Sequence, residues 1–368
     1  MNGTDITATR RTFLKSLGAA GVGLALAGVG AEDTTLLDRV RPTAKIKLGL
    51  DNFSVRAMGW KAPALIDYAA SLRTDSLFIT DLDAFESFDE GYLKGLKSKA
   101  ADVGLQIHVG TWSICPTSKY FKNKWGTAEE HLALGIRVAR ALGSPVIRVI
   151  LGMVEDRKSE GGIEARIADT VKVCQSQRSR ALDAGVKIAV ENHGGDMQAW
   201  ELVTLIEAAG KDYVGANIDS GNATWTMEDP VANLEILGPY VLTTSLRDSA
   251  VWESAHGATI QWTAMGAGNV DLKTYFQKFA ALCPAAPVHI ETISGSNREI
   301  PYLNEDFWKT WPKAKAKDFA RFLALAKTGK PREAHKSTDA RAEQEYQKSE
   351  LERSLKYCKE VLGLGLKA

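Results

Sequence analysis

From Lys45 onward, short apolar runs alternate with longer segments in which apolar residues recur every three or four positions. The short runs begin near Ile46, Ser76, Leu105, Val146, Lys187, Val214, Val241 and Val288, and their length and β-branched content predict strands. Between them, residues 64–72, 127–142, 163–184 and 272–282 carry the apolar stripe of amphipathic helices. Strands that alternate with helices pair in parallel, because a parallel pair needs a long crossover. Eight such units predict an α/β fold, a closed (β/α)8 or TIM barrel. The rival, an open sheet that binds a dinucleotide, needs a glycine-rich turn after its first strand. Gly49-Leu50-Asp51-Asn52 does not supply one.

The pattern changes at both ends. After the eighth strand comes a long insertion, residues 294–331, with Trp308 and Trp311 near its middle. Either a lid or wall at the barrel mouth or a segment packed on the outside fits it. A final helix follows, with Leu351, Leu355, Cys358 and Leu362 on one face. At the other end, Thr9-Arg10-Arg11-Thr12-Phe13-Leu14-Lys15 precedes a Gly/Ala-rich apolar stretch and the small residues Val29-Gly30-Ala31. That is the layout of a twin-arginine signal, and it predicts a periplasmic or otherwise exported protein. The expected organisation is a signal peptide at 1–31, a linker at 32–44 and one barrel domain at 45–368, with its extension from about 294.

Composition narrows the chemistry. The chain has 368 residues, 45% hydrophobic and 25% charged, with a formal net charge of +1. Loss of residues 1–31 removes Arg10, Arg11, Lys15 and Asp5 and leaves a net charge of −1. A near-neutral surface argues against nucleic acid. No second apolar run spans a bilayer, so no membrane contact is expected after signal cleavage. The four cysteines are scattered without metal-site spacing and read mostly as buried hydrophobes, with one disulfide left open.

Strand parity then places side chains. In the fifth strand Ile188 and Val190 suit the helix side, so Ala189, Glu191 and His193 point inward. The same parity turns Gly215, Asn217 and Asp219 inward on the sixth strand and His289 and Glu291 on the eighth. It also places His108, Arg148, Ser245 and Arg247 inside, on strands three, four and seven. Ionisable groups thus ring the strand C-termini, where this fold keeps its active sites. Internal ion pairs, Arg148 or Arg247 with a glutamate, account for one or two of them. Three carboxylates converging from three strands favour a functional site.

Val190-Glu191-Asn192-His193, Asn217-Ile218-Asp219-Ser220-Gly221-Asn222, Ser245-Leu246-Arg247-Asp248, Met265-Gly266-Ala267-Gly268-Asn269-Val270-Asp271 and Ile290-Glu291 stand in order along the chain. Together they resemble the successive signatures of the xylose isomerase-like barrels, which include sugar and sugar-phosphate isomerases and epimerases. The resemblance implies one divalent ion (Mn, Mg, Co or Zn) held at Glu191, Asp219, Ser245 and Glu291. Two positions depart from it: Ser245 stands where histidine is usual, and Asn222 where a substrate-binding histidine is common. Hydroxyl is a poorer ligand than imidazole for Zn or Mn. His193, His289 and His256 are the histidines nearest the site, and each reads more readily as a polar contact than as a ligand.

The resemblance also implies proton removal next to a carbonyl, with Glu191 and Glu291 as the acid–base pair and a small carbohydrate as substrate. Buried carboxylates suit that work when one is pushed toward neutrality. His193, His108, Arg247 and Asn222 are expected to bind sugar hydroxyls, and Trp112 and Trp225 to stack on a sugar face. Three alternatives stay open. A keto-glycoside lyase begins with the same proton abstraction. A non-catalytic carbohydrate-binding barrel would also tolerate Ser245. Phosphodiester cleavage fits poorly with six histidines in all.

Overall fold

The computed structural model describes residues 46–367, and the twin-arginine segment lies outside them. Seven parallel strands come first: β1 (Leu48–Asp51), β2 (Ser76–Ile79), β3 (Gln106–Ser113), β4 (Val146–Ile150), β5 (Lys187–Glu191), β6 (Val214–Ile218) and β7 (Val241–Thr244). An inserted hairpin, β8 (Asp248–Ser254) and β9 (Gly257–Thr263), precedes the eighth barrel strand, β10 (Val288–Ile290), and β11 (Asn297–Ile300) follows. β10 pairs with β1, and a parallel bridge from Leu246 to Ile290 joins the two ends of the sheet. The result is a nearly closed (β/α)8 barrel.

The apolar half of each strand explains the helical layer around it. Leu48, Leu50, Leu77, Ile79, Ile107, Val109, Ile147, Val149, Ile188, Val190, Ala216, Ile218, Val288 and Ile290 all join one buried cluster with the helices. Helix Ala128–Leu142 shows how its ends are set. Thr127 and Glu130 form a reciprocal capping box, and Gly143 stops the helix at φ 74°. The single helix expected over 163–184 is instead two, Gly162–Ser176 and Arg178–Ala184. Gln177 leaves helical geometry between them (φ −104°, ψ 7°), which interrupts the hydrogen-bond ladder there.

The barrel interior has a polar and aromatic floor. His289 Nε2 lies 2.9 Å from Ser76 Oγ, and Thr243 Oγ1 lies 3.1 Å from His108 Nδ1 and 3.3 Å from His289 Nδ1. The two imidazoles stand 4.8 Å apart, with Phe78 beside His289. Gly49 makes room for this layer, because a Cβ there would come within 2.3 Å of Ser76 Oγ and 2.7 Å of the His289 ring.

The insertion after the eighth strand packs behind the inserted hairpin, and none of its described residues lines the barrel mouth: β11 pairs antiparallel with β9, and helix Ala316–Thr328 packs against β8. Ile260, Trp262, Ile300, Trp311, Phe322 and Leu325 form a second apolar cluster there. Helix Ala340–Glu360 returns to the main core through Leu351, Leu355 and Cys358, and Gln347 and Gln344 hold the backbone of Ala57. Beyond it, Gly365 N donates to Ile46 O (2.8 Å), and Asp75 Oδ2 accepts from both Leu48 N and Leu366 N. All four cysteines are buried and unpaired. No helix among the described residues is long and apolar enough to cross a membrane.

Candidate active site

The strand C-termini open into a cavity of about 170 Å³. Phe53, Trp112, Trp225, Trp262, Met153 and Ile293 give it apolar walls. Arg148, Glu191, His193, Asn222, Arg247 and Glu291 converge on its floor, with Thr80 and Asp81 at one side. Apolar walls with a few directed polar groups are the usual form of such a pocket.

Each carboxylate has a definite socket. Glu191, at the end of β5, accepts from Arg148 Nε at 2.6 Å and from Asn217 Nδ2 at 2.7 Å. Burial alone would raise its pKa, but the charge and hydrogen bond of Arg148, with His193 nearby, hold it below the ordinary range. Asp219 follows β6 and caps helix Ser220–Trp225 by accepting from Gly221 N and Asn222 N. Asn192 fixes its backbone at both ends, donating to Asp219 O and accepting from Asp219 N, each at 2.9 Å. Glu291 follows β10; burial and the Glu191 charge raise its pKa, and Arg247 opposes them.

A fourth carboxylate, Asp51 at the end of β1, is fully buried beside this group and accepts from Ser245 Oγ at 3.0 Å. Burial and Glu291 raise its pKa well above that of a free aspartate. Strand parity would have found it: with Leu48 and Leu50 on the helix side, Asp51 must face inward.

Two guanidinium groups balance the set. Arg148 takes Glu191, and Arg247 Nη2 contacts both Asp219 Oδ2 and Glu291 Oε2. Ser245, the position at which the resemblance implies a metal-binding histidine, turns away to Asp51 and Asn217. The three carboxylates implied as ligands do come together, but around Arg247. Among the described residues, no three His, Cys, Asp or Glu side chains are arranged to hold a metal ion. This donor set, closed on a guanidinium, does not fit a divalent cation.

His193 is the best placed of the histidines. Its Nδ1 lies 2.9 Å from Gly152 O and so carries the proton, and Nε2, which has no partner among the described residues, is left as an acceptor at the cavity. Burial holds its pKa down to about 4, with Glu191 opposing. Asn222 also lines the cavity, but its amide is engaged by Asp219, Glu191 and Gly194, so it positions those groups. Trp112 stands edge-on to His193 at 5.5 Å. Trp225 stacks on Trp262 at 4.0 Å, with Arg298 over Trp225 and Arg247 over Trp262. Trp262, on the inserted hairpin, gave no signal in the strand pattern.

His108 is set apart from the other expected contacts. It lies in the barrel floor with His289, where burial holds its pKa down to about 3, and it does not line the cavity. His256 is exposed at the turn of the β8–β9 hairpin.

The family described as Xylose isomerase-like TIM barrel matches residues 66–323. A relative from Pectobacterium atrosepticum, 3-oxo-isoapionate decarboxylase, is 21% identical over 216 residues, or 58% of this chain and 71% of its own. D-psicose 3-epimerase from Clostridium cellulolyticum H10, solved with D-tagatose, superposes with a TM-score of 0.52 and 16% identity over 76% of this chain and 96% of its own. The IOLI protein, solved with a zinc atom, gives 0.53 and 13% over 75% and 99%. These structures share the fold.

Proposed function

The chain belongs to the xylose isomerase-like TIM barrel family, and from that premise we propose that it is a sugar isomerase or epimerase, exported by the twin-arginine route, that moves a proton at the carbon beside a carbonyl. The observation that carries this reading is the pairing of Glu191 and Glu291, two buried carboxylates on non-adjacent strands whose surroundings shift them in opposite directions. Groups driven apart in this way suit the roles of base and acid.

In this reading Glu191, kept ionised by Arg148 and Asn217, takes the proton from the carbon next to the carbonyl. Glu291, held above the usual range, carries the proton that is returned on the other face or at the neighbouring carbon. The negative charge that develops on the substrate oxygen needs a preorganised donor in a dry site. Arg247 faces the cavity and fits that role. His193 Nε2 accepts from a sugar hydroxyl, and Trp112 gives the ring an apolar face to rest on, since Trp262 and Arg298 take the two faces of Trp225. The divalent ion implied by the resemblance has no part in these steps, since its donors are closed on Arg247.

The keto-glycoside lyase reading shares the first proton transfer, and the decarboxylase relative acts on a compound whose name makes it a keto acid. The proposed test separates these readings. Ketohexoses incubated with the enzyme in D2O exchange the hydrogen next to the carbonyl and give an epimer or isomer visible by NMR. Glu191→Gln and Glu291→Gln each lower the exchange rate by about 10²- to 10⁴-fold. Loss of CO2 or of an aglycone, with no carbon-bound deuterium in any ketose, would overturn the isomerase reading.

A further inference from the structure

We infer that the Arg247 guanidinium is the resident cation of this site, standing where a divalent ion would otherwise join Asp219 to Glu291.

Arg247 is not a surface side chain that happens to fold inward. It is 2% exposed, and its backbone is held at both ends by one hydroxyl: Ser220 Oγ accepts from Arg247 N at 3.0 Å and donates to Arg247 O at 2.6 Å. Its stem passes directly over Gly221, where a Cβ would come within 2.5 Å of Cδ and 2.7 Å of Cγ. A side chain at 221 would therefore push the arginine out of its channel. The planar head lies over Trp262, 4.2 Å from the ring centre. Backbone, stem and head are each fixed, so the guanidinium reaches the carboxylates without further ordering.

The head is only half used. Nη2 serves Asp219 and Glu291, whereas Nε and Nη1 are buried with no hydrogen-bond partner. Buried donors left unpaired are costly, so the head is kept in place by its charge between Asp219 and Glu291 and by its contact with Trp262 rather than by a full set of hydrogen bonds. Ser245, two residues earlier on the same inward face, is spent on Asp51 and Asn217. The end of β7 thus presents a guanidinium to the carboxylates and no imidazole to a metal. A divalent ion entering between Asp219 and Glu291 would have to displace a like charge already seated there.

This inference concerns what neutralises the carboxylates, so it stands apart from the identity of the substrate and is tested without one. The full chain is loaded with Mn2+ or Zn2+, freed of excess ion, and analysed by elemental mass spectrometry and by calorimetric titration with the same ions. Far less than one equivalent should be retained. Arg247→Met, which removes the charge and keeps the bulk, should bind the ion at least about tenfold more tightly, and Asp219→Asn in that background should abolish the gain. Near-stoichiometric ion in the unaltered protein, lost on Asp219→Asn, would overturn the inference. So would equal, negligible binding with and without the guanidinium in folded protein, because another feature would then be excluding the ion. Once a turnover assay is in hand, EDTA should leave the rate unchanged, and added guanidinium ion should partly restore Arg247→Ala.

Discussion

At the scale of the residue, the site is an exercise in pairing charges that cannot reach water. Two guanidinium groups face four carboxylates; burial pushes Asp51, Asp219 and Glu291 upward, and only Glu191, paired with Arg148, is held below its ordinary range. The two glutamates should therefore answer differently to the same substitution. Glu191→Gln strands Arg148 without its counter-charge and should cost about 3–5 kcal/mol, as the breaking of a buried pair does. Glu291→Gln removes one of the two carboxylates on Arg247 but leaves Asp219 in place, so it should cost less, about 1–2 kcal/mol. Urea midpoints of the two variants at pH 7 check this, and equal losses would mean that Asp219 alone does not compensate Arg247. Much of the constellation was legible from parity alone, since Glu191, Asp219, Ser245, Arg247 and Glu291 all face inward as expected. What parity does not reveal is depth along the barrel axis. His108 and Glu191 share an inward face, yet one lies in the floor and the other at the cavity, because a strand pattern fixes side and not height.

At the scale of the element, the eight barrel strands were readable because each is a short apolar run bounded by polar residues. The β8–β9 hairpin was not, because its buried face is supplied by β11 and helix Ala316–Thr328, far along the chain. Such a sheet has no core until its distant partners arrive, so local pattern says little about it. Asn269 is the clasp that joins these parts. Its Oδ1 accepts from Val251 N, and its Nδ2 donates to Val251 O, Leu325 O and Thr328 Oγ1. Asn269→Ala should therefore loosen the inserted sheet that carries Trp262 while leaving the barrel intact. Hydrogen exchange should quicken over β8 and residues 316–328 and stay unchanged over β4 to β6, with a stability loss of about 1–3 kcal/mol. Uniform exchange throughout would show that the inserted sheet does not open by itself.

At the scale of the whole molecule, buried histidines and carboxylates pull the response to acid in opposite directions. Burial lowers His108 to about 3 and His131 and His193 to about 4, from an ordinary 6.5. Their folded pKa values lie below the unfolded ones, so the unfolded chain takes up protons first as pH falls. The stability they contribute is complete above pH 6.5 and is lost as pH drops toward 4, at about 1.4 kcal/mol per pH unit for each histidine. Between pH 7 and 5 the histidines pull stability down while raised carboxylates such as Glu228, at about 7, and Asp248, at about 6, pull it up. His131→Asn should therefore shift the change in unfolding free energy over that range by about 2 kcal/mol toward greater stability in acid. An identical pH dependence would show that His131 titrates normally in the fold. The join between residues 364–367 and the start of β1 has a consequence in time. Ile46 O and one oxygen of Asp75 wait for Gly365 and Leu366, so the backbone leading into β1, among the first made, stays wet until almost all of the described chain has been synthesised. Contacts spanning such a distance in sequence form late and slowly. The entry to β1 is therefore sealed later than the β10–β1 pairing that closes the barrel, and a ribosome stalled between those points holds a closed sheet with an open seam at its start.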